Sequence, residues 1–505
     1  MRSRPVSLLL LLTAAGAAWL PGSQLPGRTH VSDAAVARRV PQLMAVAEMA
    51  PPSISEEPPE PSGVTADTVG VLLLNLGGPD TLENVEPFLY NLFSDPEIVT
   101  LPSWLEWGNG ILAKIISTSR APQSREGYET SFAKWEAFPG SEEIRSVRSG
   151  APQLATTQVQ GQRIEAALAA RGIKAKSYIA MRYWSPYTSD ALAAIKADGI
   201  QRMVVLPLYP QFSISTSGSS LRQLEREFYA DQTLRQVRNV VIPAWYNREG
   251  YVNALAKLLA AKCDLHADKP GGSSAPHVFF SAHGLPTKYV SDLGDPYQKQ
   301  TEATVSFVMS RMRQLGYANN HTLAYQSKVG PIEWMRPYTD ETIIELAERG
   351  VKSLVVVPIS FVSEHIETLE EIDEEYMEVA MEAGITDWQR VPALGLEPSF
   401  IDDLAEAVVE VLPRIEEPPK SDINEGRPVS LRVVNDLVQL RSKEEEIEYG
   451  PVRYEVRRTG FTPKAELING RIAMAAITVA SIYSYVDGSL YETILDGRLP
   501  YASWL

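Results

Sequence analysis

The sequence predicts an α/β protein of two similar doubly wound domains, and an internal repeat is the first reason. Thr188–Pro207 reads TSDALAAIKADGIQRMVVLP and Thr339–Pro358 reads TDETIIELAERGVKSLVVVP. At one constant offset Thr188 meets Thr339, Gly199 meets Gly350 and Pro207 meets Pro358. Each copy is an amphipathic helix, a glycine where the helix stops, and a short apolar strand ending at proline. A second pairing supports the first: Val71–Pro79 (VLLLNLGGP) parallels Val278–Pro286 (VFFSAHGLP). Finally, strands that are apolar throughout belong to parallel sheets covered by helices on both faces. Two such domains are expected to face each other across a cleft, with ligands beyond the carboxyl ends of the strands.

Along the chain, residues 1–50 read as a leader. Arg2 and Arg4 precede the apolar run Val6–Leu20, too short to span a bilayer, and an acid-poor, Arg-bearing stretch follows. A signal core followed by a transit-like segment is the arrangement expected for a plastid reached through the secretory route. Residues 51–68 are a Pro-rich acidic linker. The two α/β domains are expected at 69–237 and 238–415, then a charged, solvated connector at 416–461. Residues 462–488 read as one transmembrane helix: Ala465–Val486 is mostly apolar and matches the ~20 residues a bilayer needs. Its strongly polar residues, Glu466, Asn469 and Arg471, fall in the first two turns, where polar groups in lipid need partners. Residues 489–505 form a tail.

Composition narrows the chemistry. The 505 residues carry 47 Lys and Arg against 63 Asp and Glu, a net charge of −16, which argues against sequence-independent nucleic-acid binding. One cysteine, Cys263, excludes a disulfide framework, a Cys-based zinc site and a four-thiolate iron–sulfur cluster within one chain. Any metal must meet His, carboxylate or hydroxyl groups.

Of six histidines, two fall at strand exits: His283 directly after VFFSA, and His365 after VVVPISFVSE. The second begins an acidic run in which Glu367, Glu371 and Glu375 recur every four residues, close to one helical stripe. Like charges at that spacing weaken an isolated helix, so a carboxylate ladder carrying a divalent cation or protons competes with a plain solvated face. Glu367 lies nearest the strand exit. The first half offers hydroxyls instead: the exit beginning at Tyr209 leads into Ser213–Ser220, a candidate anion cradle. Arg182-Tyr183-Trp184 sets a cation beside two planar rings, suited to a carboxylate and a flat aromatic ligand. Leu92–Ile116, rich in large apolar residues, reads as core or as an apolar lip at the cleft mouth.

Six blocks resemble the ferrochelatase family in its plastid form, and they stand in the family's order. They are LNLGGPD (74–80), MRYW (181–184), VVLPLYPQFSISTSGSSL (204–221), FFSAHGLP (279–286), YQSKVGPIEW (325–334) and VPISFVSEHIETLEEID (357–373). The C-terminal ELINGRIAM resembles the chlorophyll a/b-binding motif. The resemblance implies two Rossmann-like chelatase domains with parallel four-stranded sheets, and insertion of Fe²⁺ into protoporphyrin IX to give protohaem and two protons. It implies His283 and Glu367 as the catalytic pair and His283, Glu367, Glu371 and Glu375 as the residues meeting metal. Leu76, Arg182, Tyr183, Tyr209, Ser213, Trp334 and His365 would contact the porphyrin. No cofactor is required, and the chain lacks the cysteines for the [2Fe–2S] cluster of some relatives.

For the C-terminal helix the resemblance implies chlorophyll at Glu466, Asn469 and Arg471, a homodimer or light-harvesting-type helix partner, and a thylakoid or inner-envelope membrane. Two departures stand out: Ser185 replaces the His common after Arg-Tyr-Trp, and 131–160 is longer than usual. The rival functions are a non-catalytic tetrapyrrole carrier or sensor and a chelatase for another divalent metal.

Overall fold

The computed structural model describes residues 64–65, 67–96, 98, 108–137, 142–146, 151–267, 275–328, 332–415 and 431. The expected leader, most of the expected acidic linker, the expected transmembrane helix with Glu466, Asn469 and Arg471, and the expected tail lie outside the described residues. Among the described residues no helix is long and apolar enough to cross a membrane.

The expected α/β architecture is present as two four-stranded sheets. The first contains β1 (Val69–Asn75), β2 (Ala175–Met181), β3 (Arg202–Pro207) and β4 (Arg238–Val241), in the order β2-β1-β3-β4. The second repeats that order with β5 (His277–His283), β6 (His321–Gln326), β7 (Ser353–Pro358) and β8 (Asp387–Arg390). Every pairing is parallel. All seven residues of β1 and all six of β7 are buried, as central strands with both faces covered must be.

The repeat is structural as well as sequential. Helices Thr188–Ala197 and Thr339–Glu348 each end ahead of a glycine with positive φ, Gly199 at 65° and Gly350 at 87°, a conformation that is cheap only without a side chain. A cis peptide precedes each helix, at Ser185–Pro186 and Arg336–Pro337. One apolar cluster joins the halves, running from Val71 and Leu73 of β1 to Val278 and Phe280 of β5. Helix Pro398–Val411 packs against both Pro152–Ala170 of the first half and Glu249–Ala267 of the second.

Two expected boundaries shift. The division after residue 237 falls one strand early, because Arg238–Val241 is the edge of the first sheet, hydrogen-bonded to β3. The solvated connector is interrupted at Leu431, which is fully buried among Phe228, Leu234, Val237 and Val241. Its N–H donates to the Asn239 side chain on β4 (3.1 Å), so this residue packs against the first half. The longer 131–160 segment is helical where described: it closes the helix Asn109–Glu136 and opens Pro152–Ala170.

Candidate active site

His283 is the last residue of β5, and it stands at the end of a ladder. β7 finishes at Pro358, opposite Ser281, and proline has no N–H to continue the pairing. Beyond it the chain turns through Ser360 and Phe361 and reaches Glu367. This return brings Glu367 Oε2 to 3.1 Å from His283 Nδ1. Both side chains keep access to solvent, at 34% and 22% exposure. Glu367 occupies Nδ1, which leaves Nε2 for a substrate.

Burial opposes charge on the imidazole, but the charge and hydrogen bond of Glu367 outweigh it, and the His283 pKa lies above the ordinary value. Glu367 moves the other way. Burial alone would raise it, yet His283, the nearby His365 and a hydrogen bond from Gln326 bring it below the usual carboxylate range. Gln326, at the end of β6, fixes this carboxylate: its Oε1 accepts from Ser281 Oγ (2.5 Å), so its Nε2 donates to Glu367 (3.0 Å) and Glu371 (3.3 Å).

The acidic ladder is real but sits on a different helix from the one expected. Glu367–Glu375 is a π-helix that passes into the α-helix Tyr376–Ala383. With i→i+5 bonding a turn takes more than four residues, so the glutamates drift in the opposite sense from an α-helical stripe while staying on one side. Glu371 accepts from Gln326 and from Ser327 Oγ (3.2 Å). Burial, followed by the charges of Glu367, Glu375 and Glu370, raises its pKa well above the carboxylate range. Burial also raises Glu375, and burial with neighbouring acids lifts Glu370 to about 7.

A cover from the first half lies over this turn. Lys134 of the helix Asn109–Glu136 donates to Leu369 C=O (2.9 Å) and pairs with Glu374. The remaining described segment of the expected lip is divided: Phe93 and Ile116 are buried, while Ile111 and Ile115 are exposed.

The other expected residues divide between the surroundings of His283 and the interior. His365 meets the Phe361 ring edge-on at 4.4 Å between centroids, and Phe361 is 6.5 Å from His283, so the three rings form one group. Burial lowers the His365 pKa. Trp334 pairs with Pro286 as an isolated bridge and its ring lies against Gly284, beside His283.

In the first half, Leu76 is half-buried against the cluster around Phe88 and Tyr183. Arg182 and Tyr183 are committed internally. Arg182 pairs with buried Asp95 (2.7 Å) and donates to Ser219 Oγ (3.0 Å), while Tyr183 OH donates to the same Asp95 oxygen (2.8 Å). Tyr209 is buried, and burial raises its pKa.

Ser213 does belong to an anion cradle, but the anion is the protein's own. Its hydroxyl and the Ile214 N–H each donate to Asp295 Oδ2 at 2.8 Å. Nor do the four residues expected to meet metal form one cage. Among the described residues no three His, Cys, Asp or Glu side chains are placed to hold a metal ion.

Sequence reasoning passed over Asp95, Asp295, Tyr297, Gln326, Ser360, Phe361 and Arg390. Gln326, Ser360 and Phe361 lie inside quoted blocks without having been given a role, and what marks the set is partners distant in sequence. Arg390 is the clearest case. From β8 it pairs with Glu364 (2.9 Å) and Asp373 (2.8 Å), fixing the loop that delivers His365 and Glu367.

Comparison with known proteins gives the family. The ferrochelatase family model matches residues 68–412. The chain belongs to the ferrochelatase family. "Ferrochelatase-2, chloroplastic" of Oryza sativa subsp. indica is 48% identical over 424 residues, covering 84% of this chain and 76% of the relative. The Arabidopsis thaliana protein of the same name is 46% identical over 437 residues, covering 86% and 81%. A ferrochelatase from Cyanothece is 48% identical over 406 residues, covering 80% and 93%. As a member of the ferrochelatase family the chain is a metal chelatase, a lyase that inserts ferrous iron into protoporphyrin.

Proposed function

We propose that His283 is the proton acceptor of this ferrochelatase reaction and that Glu367 holds the imidazolium formed. Exchange of Fe²⁺ for two pyrrole protons is neutral overall, so the protein must remove two protons from a hydrophobic macrocycle as the metal enters. An imidazole whose pKa is held above its ordinary value suits that task, and a carboxylate at hydrogen-bond distance stabilises its charged form. The observation that carries the reading is the 3.1 Å contact between His283 Nδ1 and Glu367 Oε2. Glu371 and Glu375 then pass protons, or the incoming cation, along the π-helix. Leu76, Trp334, Phe361 and His365 form walls for the ring.

The test is an anaerobic assay with Fe²⁺ and protoporphyrin. His283→Ala is expected to lose turnover while still binding porphyrin; near-normal turnover would remove His283 from the mechanism. Glu367→Gln removes what holds the His283 pKa up. The acidic limb of the kcat/KM profile therefore moves to lower pH as turnover falls, and an unmoved limb would break the pairing. Porphyrin binding without product from the intact chain would instead identify a carrier, and product with another divalent ion alone would identify a different chelatase.

The reaction is assigned to the plastid, a reading supported by the chloroplastic ferrochelatases it resembles. Residues 462–488 are proposed as its membrane helix, with Glu466 and Arg471 as an ion pair able to hold chlorophyll magnesium and a second helix completing the site. Full-length protein from pigmented membranes that carries no chlorophyll would reduce this segment to an anchor.

A further inference from the structure

We propose that Tyr297 and Ser360 clamp the main chain of His283 and so act as positioning residues for the proton acceptor. Sheet geometry requires something of this kind. Successive residues of a strand direct their N–H and C=O groups to alternate neighbours. Ser281 C=O faces β7 and accepts from Ile359 N–H (3.1 Å), whereas Gly284 N–H faces β6 and donates to Gln326 C=O (3.0 Å). His283 therefore faces β7 at a level where that strand has already ended. Its two main-chain groups would be unpaired in a largely buried place, which proteins avoid.

Side chains replace the missing strand. His283 N–H donates to Ser360 Oγ (3.2 Å), Tyr297 O–H donates to His283 C=O (2.9 Å), and the two hydroxyl oxygens lie 2.7 Å apart. The Tyr297 proton is engaged by the carbonyl, so the Ser360 hydroxyl donates to Tyr297 and the ring closes with each proton used once. Burial keeps Tyr297 protonated, as a donor must be.

Tyr297 is itself seated against the first half. Its N–H donates to Asp295 Oδ1 (3.0 Å), and Oδ2 of the same carboxylate accepts from Ser213 and Ile214. One turn on, Gln300 Oε1 accepts from Phe212 N–H (2.7 Å). The base of the second half is thus referenced to the strand exit of the first.

This inference rests on reading His283 as the proton acceptor, and the experiment separates the two. Tyr297→Phe and Ser360→Ala are assayed in the full chain with Fe²⁺ and protoporphyrin, beside His283→Ala and with Tm measured for each. Because misplacement by 1 Å can cost about 100-fold, each clamp variant is expected to lose on the order of tenfold or more in kcat. The KM for protoporphyrin stays within about twofold in both, since neither is assigned to the porphyrin walls. The double variant is expected to be little worse than the worse single, because both changes open one ring. Ser360→Thr, which keeps the oxygen, should recover most of the Ser360→Ala loss. Normal kcat in Tyr297→Phe, a loss confined to KM, or multiplied effects in the double variant would overturn the clamp. If His283→Ala turns over normally the acceptor reading itself fails; if it is inactive while Tyr297→Phe is normal, only the clamp fails.

Discussion

Leu76 and His283 stand at matching places in two copies of one strand-and-turn, yet one is a half-buried apolar contact and the other a hydrogen-bonded partner of Glu367. The next pair of exits differs in the same way. After β3 the chain enters a π-helix at Ile214–Gly218 that begins among hydroxyls; after β7 it enters a π-helix at Glu367–Glu375 filled with acids. The first shelters a single imported carboxylate, Asp295, and the second gathers carboxylates whose burial and mutual repulsion raise the pKa of Glu371. The lesson is that a duplicated backbone supplies equivalent positions, while the residues placed there decide which exit grips and which reacts.

The sharpest way to break this comparison is to make the second exit resemble the first. His283→Leu is expected to reduce turnover by about 10²- to 10⁴-fold, the span of a lost general base, measured as protohaem formed anaerobically. Adding Leu76→His should restore nothing, because the Leu76 main chain is held by Tyr183 N–H and the Asn75 side chain instead of two hydroxyls; restored turnover would mean that the two exits are interchangeable. Next in size is the strut of each half. Arg390→Met strands Glu364 in a buried site and is expected to cost about 3–5 kcal/mol in denaturant unfolding. If Arg182→Met, facing Asp95, costs as much, the halves are braced alike.

Leu431→Ala, which empties a place in the first-half core, is expected to cost about 2–5 kcal/mol and to leave KM unchanged. The smallest effect concerns Glu371. Its folded pKa is raised, so it favours the folded state at low pH, and that advantage is lost as pH rises from the unfolded carboxyl range through the folded pKa. Glu371→Gln should therefore give a flatter Tm-against-pH curve on the alkaline side; an unchanged slope would show that Glu371 ionises freely.

Much of this was legible in the chain because it is local. The repeat fixed the helix–glycine–strand units, and apolar runs marked β1, β5 and β7 as central strands. His283 and Glu367 could be singled out as polar residues at strand exits. What escaped depends on partners far apart in sequence. Nothing near Ser213 shows that its hydroxyl meets Asp295, and nothing near Arg182 shows that it turns inward to Asp95. The π-helix escaped for another reason: a four-residue spacing of acids fits an α-helix too, and only the hydrogen-bond register distinguishes the two. Leu431 was hidden within a charged stretch whose average character is that of a solvated connector.

The helix Asn109–Glu136 touches the acidic turn at Gly127. A single carbon added there would come within 3.2 Å of Ile366 and 3.5 Å of Glu370. The spacing between the arm and the turn beneath it is thus gauged at a bare Cα, next to the residue that delivers Glu367. Even alanine at 127 would act as a thin shim, asking the Ile366 side-chain tip to give by a few tenths of an ångström without altering any group that does chemistry.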